Sequence, residues 1–358
     1  SDLGYMIWNI MENNEWQTRR KLLGSAQLNY AATDFLDLMF RAGIDANNNE
    51  DLLTNPPTDI TGINKGKYGH GRGRDKTSDY VWMATLHKDN IRSSAISGKL
   101  SVGGEAYQRN LYSISGANNS WSVPNLYDFS TYNGVAAATS EATLQNKLNS
   151  LYGLVNLSYK NLLFLDITGR NDWSSTLPKG QWSYFFPSVS ASYIFSDGLK
   201  IAPSVLSYGK LRVAWAQAAV PPDPYQVNFT YATSPFAGQL GTMLPTALPA
   251  QQGYKPQINT TQDVGLTLGF LNNHLNFDLR YYHGRAENQI LNSPLPISSG
   301  VSSVVVSQGV LENSGYEFTV NATVVDKADF KWNVSFNGSH NSNKLISLAP
   351  GASKFDLG

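Results

Sequence analysis

The sequence predicts an all-β protein, part of a large antiparallel transmembrane β-barrel, and three observations predict it. Apolar and polar residues alternate with a period of two over long runs. Those runs pass ten residues, whereas strands of soluble sheets are mostly about five or six residues long. Short turns also alternate with longer connections, the rhythm of barrels that cross a bilayer on strands of about 9–11 residues. A soluble β-sandwich alternates in the same way and is the rival fold.

The clearest stretch is residues 262–340, which holds four strands and two tight turns. Val264, Leu266, Leu268 and Phe270 share a face, and after Leu271-Asn272-Asn273 so do Leu275, Phe277, Leu279 and Tyr281. Tyr316, Phe318, Val320, Ala322 and Val324 follow, then Phe330, Trp332, Val334 and Phe336. These apolar faces carry no charge. The opposite faces carry Asp263, Asp278, Arg280, Glu317 and Lys331. A Lys or Arg facing lipid at the midplane costs about 2–4 kcal/mol, so the charge-free face is the one expected to meet lipid. Asp278, Arg280, Glu317 and Lys331 are then expected to face a lumen.

The rest of the chain supplies four more strand pairs. Leu22 to Tyr30 returns through Ala32-Thr33-Asp34 as Leu36 to Ile44. Residues 47–77 read as a polar, unpatterned excursion. Strands at about 78–88 and 96–106 follow, joined through 89–94. A second excursion covers 110–145. The third pair, about 147–159 and 162–173, turns on Lys160-Asn161; the fourth is about 181–195 and 208–217. Residues 218–258 are too proline-rich for a paired central strand, and 345–358 begins another excursion. The sum is roughly twelve strands. Tyr30, Tyr159 and Phe270 precede short turns while Phe35 and Phe330 follow them, forming an interfacial girdle at that end.

Composition removes several classes. With 27 basic and 27 acidic residues, no global field recruits nucleic acid. No window approaches 18 consecutive apolar residues, so no transmembrane helix is expected. The absence of cysteine excludes disulfides and thiol chemistry. The chain opens on Ser1-Asp2-Leu3-Gly4 and closes on polar sequence, so it is expected to be an internal portion of a longer protein. No catalytic motif or cofactor signature appears, and no enzyme is expected. His70, His87, His274, His283 and His340 have no metal-ligand spacing. His283 falls on apolar parity at a strand end, an interfacial place. Glu312 and Glu317 form a nominal carboxylate pair, which a solvated wall explains.

The residues also resemble the SusC/RagA group of TonB-dependent outer-membrane transporters. Matches run in order from Leu23-Gly24-Ser25-Ala26-Gln27-Leu28-Asn29-Tyr30 and Arg41-Ala42-Gly43-Ile44-Asp45 to Gly103-Gly104-Glu105 and Val123-Pro124-Asn125-Leu126-Tyr127-Asp128-Phe129-Ser130. They continue through Gly169-Arg170-Asn171-Asp172-Trp173-Ser174-Ser175 and Phe186-Pro187-Ser188. The strongest block runs from Phe270-Leu271-Asn272-Asn273 through Leu291-Asn292-Ser293-Pro294 and Leu311-Glu312-Asn313-Ser314-Gly315-Tyr316-Glu317 to Phe330-Lys331-Trp332-Asn333-Val334. Lys255-Pro256-Gln257-Ile258-Asn259 departs from the family pattern, lacking its Trp and Glu.

The resemblance implies a barrel of about 22 strands with a plugged lumen, short periplasmic turns and long extracellular loops, with residues 1–358 forming part of its wall. The plug domain and TonB box are not in this sequence. Implied partners are a SusD-like surface lipoprotein, TonB-ExbB-ExbD acting through the missing N-terminal part, outer-membrane lipid and lipopolysaccharide, and an oligosaccharide or oligopeptide substrate. Rival functions are a passive porin, a siderophore-type receptor without a lipoprotein lid, and a soluble glycan-binding β-domain. Among the excursion aromatics Trp121, Tyr127, Tyr132, Trp173 and Trp182, the expected substrate contacts are Trp121 and Tyr127, with Asn125 beside them. Packing among loops, or an interfacial girdle, explains the same aromatics. The basic run Lys65 to Lys76 reads as a solvated loop, with lipopolysaccharide phosphates or the lid protein as its rival partners.

Overall fold

The computed structural model describes residues 7, 11–55, 66–89, 91, 95–118, 127–129, 138–228, 231–236, 239–243, 247–248 and 254–347. Its main strands are β1 (Asn14–Thr33), β2 (Leu36–Asn55), β3 (Lys67–Lys88), β4 (Ile96–Asn118), β5 (Ala138–Tyr159), β6 (Leu163–Ser174), β7 (Ser183–Ile194) and β8 (Tyr208–Val220). Three short strands follow in the next connection: β9 (Ala232–Phe236), β10 (Gln239–Met243) and β11 (Ala247–Leu248). Then come β12 (Gln257–Phe270), β13 (Leu275–Glu287), β14 (Ile290–Pro294), β15 (Ser303–Ser307), β16 (Val310–Lys327) and β17 (Phe330–Ser347).

Twelve of these form one sheet in the order β1-β2-β3-β4-β5-β6-β7-β8-β12-β13-β16-β17. Sequential neighbours pair throughout, and the registers from β5 onward are antiparallel. The twelve-strand expectation holds. Residues 34–35, 160–162, 271–274 and 328–329 make the tight turns. A short helix, α1 (Phe195–Gly198), lengthens the β7–β8 connection.

The strand ends correct the sequence expectation. Residues 47–77 are not a single excursion: β2 runs on to Asn55 and β3 begins at Lys67. Likewise β4 reaches Asn118 and β5 starts at Ala138 inside the expected 110–145 excursion, and β17 reaches Ser347. A 22-residue strand is about 70 Å long at ~3.3 Å per residue, far more than a bilayer needs. The extra length carries mostly polar residues at both parities, so no apolar alternation marks it. That is why it reads as loop.

Two compact units make up the chain. The first holds Ser1–Leu28, Phe40–Val81 and Ala106–Lys147; the second holds Asn29–Met39, Trp82–Glu105 and Leu148–Gly358. In the second unit the long connections build a small sheet of their own, β11-β15-β14, in which Ala247 pairs in parallel with Ser303. Beneath it Leu177, Tyr184 and Tyr254 are buried against Phe186, Val227, Ile290 and Val305. The Tyr254 hydroxyl donates to Gln226 Oε1 at 3.3 Å, and burial pushes its phenol up to about 12. Among its described residues the proline-rich 218–258 stretch gives the main sheet only the ends of β8 and β12, where Val220 pairs with Gln257, and Tyr254 anchors part of this loop layer.

Candidate functional site

One face of the sheet is joined across strands by charged side chains. Registration places Thr267, Asp278 and Thr319 side by side, with Gly265, Arg280 and Glu317 in the next such row. Arg280 sits between two carboxylates, donating from Nε to Asp263 and from a terminal nitrogen to Glu317 at 3.3 Å, and its guanidinium lies 5.6 Å from the Tyr282 ring. Asp278 accepts from Arg212 at 3.0 Å and from the Thr267 hydroxyl at 2.7 Å. Gly265 has no side chain, which lets Arg212 lie across it.

A second network on the polar parity of β4, β5 and β6 centres on Arg170. Its guanidinium donates to Asp172 at 2.7 Å, Glu105 at 2.7 Å and Ser150 at 2.8 Å, and lies 5.8 Å from the Tyr152 ring. Asp172 is 5% exposed. Glycine makes the approach possible: a Cβ on Gly103 would stand 2.5 Å from the Tyr152 ring, and one on Gly104 would stand 2.6 Å from the Trp82 indole nitrogen. Strand β4 is thus flanked by one aromatic on each face at consecutive glycines. Within the first unit, odd-numbered positions pair in the same manner: Lys21–Asp45 at 3.0 Å, Arg41–Asp79 at 3.1 Å and Arg109–Asp75 at 2.6 Å.

The opposite face is apolar and open. Val264, Leu279, Tyr281, Tyr316, Trp332, Val334 and Phe336 are 41–62% exposed. Along β13 this face then changes character, from Tyr281 to His283 to Arg285 to Glu287. Arg285 bonds to Glu287 at 2.9 Å and to Glu312 at 2.8 Å. Strand β13 therefore has an apolar band at its tight-turn end and ionic side chains further along the same face.

The structure brings Asp278, Arg280 and Glu317 together. Lys331 keeps the same parity but lies at the β16–β17 turn, 3.5 Å from Asp326. Trp121 and Asn125 fall outside the described residues. Tyr127 joins an aromatic group, its ring 6.4 Å from Tyr68, which lies 4.9 Å from Phe129. Burial, then the charge of Glu12, raises the Tyr127 phenol above its usual range.

Three smaller expectations change. The basic run is strand rather than loop from Lys67 onward, and Glu50 accepts from His70 and Arg72 at 2.8 Å each. The nominal pair Glu312 and Glu317 falls on opposite faces with different arginines, because of its odd separation, in keeping with a wall. His283 is not at a strand end: it pairs with Gln262 and Ser314 inside the sheet. Trp173 belongs to β6, opposite Ser183. The Arg170 network was not singled out from sequence. Its signal was an arginine on polar parity two residues from an aspartate, beside the Gly103-Gly104-Glu105 block.

A broad, sequentially wound antiparallel sheet with one open apolar face and one ion-paired face defines an outer-membrane β-barrel protein. The chain matches the family model described as TonB dependent receptor-like, beta-barrel, over residues 2–347. It belongs to that family, and among its members it is of SusC/RagA type. It is 29% identical over 344 residues to TonB-dependent receptor P3 of Formosa agariphila, covering 91% of this chain and 33% of that protein. Identity to TonB-dependent receptor SusC of Bacteroides thetaiotaomicron is 30% over 224 residues, 60% of this chain and 22% of that one. The fold matches the structure of the RagAB peptide transporter with a TM-score of 0.89 at 16% identity, covering 98% of this chain and 39% of that chain. The chain thus spans a third or less of the length of these curated relatives. It is an outer-membrane protein of a Gram-negative bacterium, and its family is one of transporters and receptors. Location and family together remove the soluble β-domain.

Proposed function

We propose that this chain is the wall-and-loop portion of a TonB-energised importer of oligosaccharides or oligopeptides, one that works with a SusD-like lipoprotein over its long connections. The observation that carries the proposal is the contrast between faces. One is open and free of charge along its tight-turn half; the other is lined by Arg170, Arg212, Asp278, Arg280 and Glu317 held in cross-strand ion pairs. In this reading the first face meets lipid and the second lines the route of the substrate. Opening is driven by TonB-ExbB-ExbD acting on a plug outside these residues. Membership in a TonB-dependent family disfavours the passive porin, and SusC/RagA type disfavours the lidless siderophore receptor.

Adjacent residues of β16 test the facing. In the full-length receptor, Val320→Arg is expected to lose about 2–4 kcal/mol of folding stability in lipid, while Thr319→Arg is expected to lose well under 1 kcal/mol. Equal losses measured by urea titration in vesicles sink the assignment. Mass spectrometry of co-purified ligand then separates glycan from peptide.

A further inference from the structure

Within the second unit, the pairing of β7 with β8 stops short of the ends that lie away from α1. It runs from Ile194 opposite Lys210 to Ser188 opposite Ala216. Beyond that point, among the described residues, 183–187 pair with β6 alone and 217–220 with β12 alone. Pro187, which has no N–H to give to β8, sits where the pairing ends. The buried core beneath the small sheet draws on both arms of this fork, with Tyr184 and Phe186 from β7, Ala219 from β8, and Ile290 and Val305 from β14 and β15.

Tyr184 joins that core to the Arg170 network. Its ring packs with Leu177 and Tyr254 and lies 5.9 Å from Phe186, and it stands directly opposite Asp172 in the β6–β7 register. The residue is 9% exposed, and the charges of Asp172 and Arg170 both reach its phenol. Its hydroxyl has no hydrogen-bond partner among the described residues. An unbonded O–H at that depth is destabilising, so a rearrangement that gives it an acceptor is favoured. Asp172 is the acceptor across the strand pair, and Arg170 holds it at 2.7 Å.

Arg170 is the member of this group that can be drawn away. Its side chain is 30% exposed, and it divides its donors among Glu105, Ser150 and Asp172 on three strands. When the guanidinium leaves, the nearly buried Asp172 carboxylate is without its counter-charge, which is strongly unfavourable. The Tyr184 hydroxyl can then donate a charge-assisted bond to it. Movement of the phenol toward β6 takes its ring away from Leu177 and Tyr254, on which the small sheet β11-β15-β14 rests.

We propose that Tyr184 is the positioning residue of a relay between the ion-paired face and the loop layer. When Arg170 leaves Asp172, Tyr184 takes the carboxylate and the small sheet loosens. That the signal starts in the lumen rests on the facing proposed above; the exchange of partners does not.

The test is a double-variant cycle in the full-length receptor, read as urea midpoint and as hydrogen exchange along β15. In the wild type, Tyr184→Phe removes an unbonded hydroxyl and is expected to leave the midpoint unchanged or raise it slightly. In R170M the same change is expected to lower the midpoint clearly, because it deletes the new bond to Asp172. Strand β15 should exchange several-fold faster in R170M than in the wild type, and return to the wild-type rate in R170M/Y184F. In R170M/D172N there is no carboxylate to reach, so Tyr184→Phe should again leave the midpoint unchanged or raise it. Tyr254→Phe, whose hydroxyl is already bonded to Gln226, should act equally in every background. If R170M does not fold, Arg170→Gln runs the same cycle. Equal effects of Tyr184→Phe in the wild type and in R170M overturn the proposal, as does a lowered midpoint in the wild type. So does β15 exchange that R170M leaves unmoved, or that rises further in R170M/Y184F. These readouts do not depend on which face meets lipid, so failure of the relay is distinct from failure of the facing, which the Val320 and Thr319 variants report.

Discussion

Arg170 shows how one side chain ties three strands together. It reaches Glu105 on β4, Ser150 on β5 and Asp172 on its own strand, and the Asp172 side chain keeps only 7% of its exposure. Removing the arginine leaves a nearly buried carboxylate without its counter-charge, which costs far more than an exposed ion pair is worth. Because Arg170 itself remains 30% exposed, the loss is discounted for solvent screening. Arg170→Met is expected to destabilise the folded receptor by about 2–3 kcal/mol, read as a lower urea midpoint for loss of the compact electrophoretic form. Adding Asp172→Asn should recover part of that loss, because the orphaned charge is gone. An unchanged midpoint in the single variant would mean that water already screens the network.

At the scale of the element, the β12–β13 hairpin carries unusual backbone strain. Leu271, Asn272 and Asn273 have φ of 53°, 57° and 64° in succession, a left-handed run that costs ordinary residues about 1–2 kcal/mol each. Asparagine tolerates this region better than most residues. Leu271 is 65% exposed, so little packing opposes its replacement. Leu271→Asn is expected to stabilise by up to about 1 kcal/mol, and Asn272→Val to destabilise by about 1–2 kcal/mol, measured by tryptophan-monitored urea unfolding. If both variants match wild type, the turn adopts another geometry in the bilayer. The hairpin was legible in the sequence because Val264–Phe270 and Leu275–Tyr281 alternate without a break around it. The far ends of β2, β3, β4 and β5 were not, because Asn47 to Asn55 and Lys67 to Lys76 carry mostly polar residues at both parities and so show no apolar alternation. Partners of Arg170 and Arg280 were legible only as parity; which carboxylate each reaches depends on register, and turn residues set that register in three dimensions.

At the scale of the molecule, the proposed lipid-facing parity sets where the membrane would lie along β13. Leu275, Phe277, Leu279 and Tyr281 give way to His283, Arg285 and Glu287. The neighbouring strand changes in step, with Tyr281 opposite Tyr316, His283 opposite Ser314 and Arg285 opposite Glu312. About nine residues from Leu275 is His283, the length that spans hydrocarbon at a 45° tilt. A pair of tyrosines followed by an ion-paired arginine is the order expected across an interface, from amphipathic ring to charged group. The penalty for a new arginine should therefore fall steeply within two residue pairs. Leu279→Arg is expected to cost about 2–4 kcal/mol of folding stability in vesicles and His283→Arg about 0–1 kcal/mol. The gradient should also shift with bilayer thickness, because thicker lipid moves the boundary toward Arg285 and raises the cost at position 283 more than at 279. A flat profile along the strand would mean that this face packs against protein, and the lipid-facing assignment would fall with it.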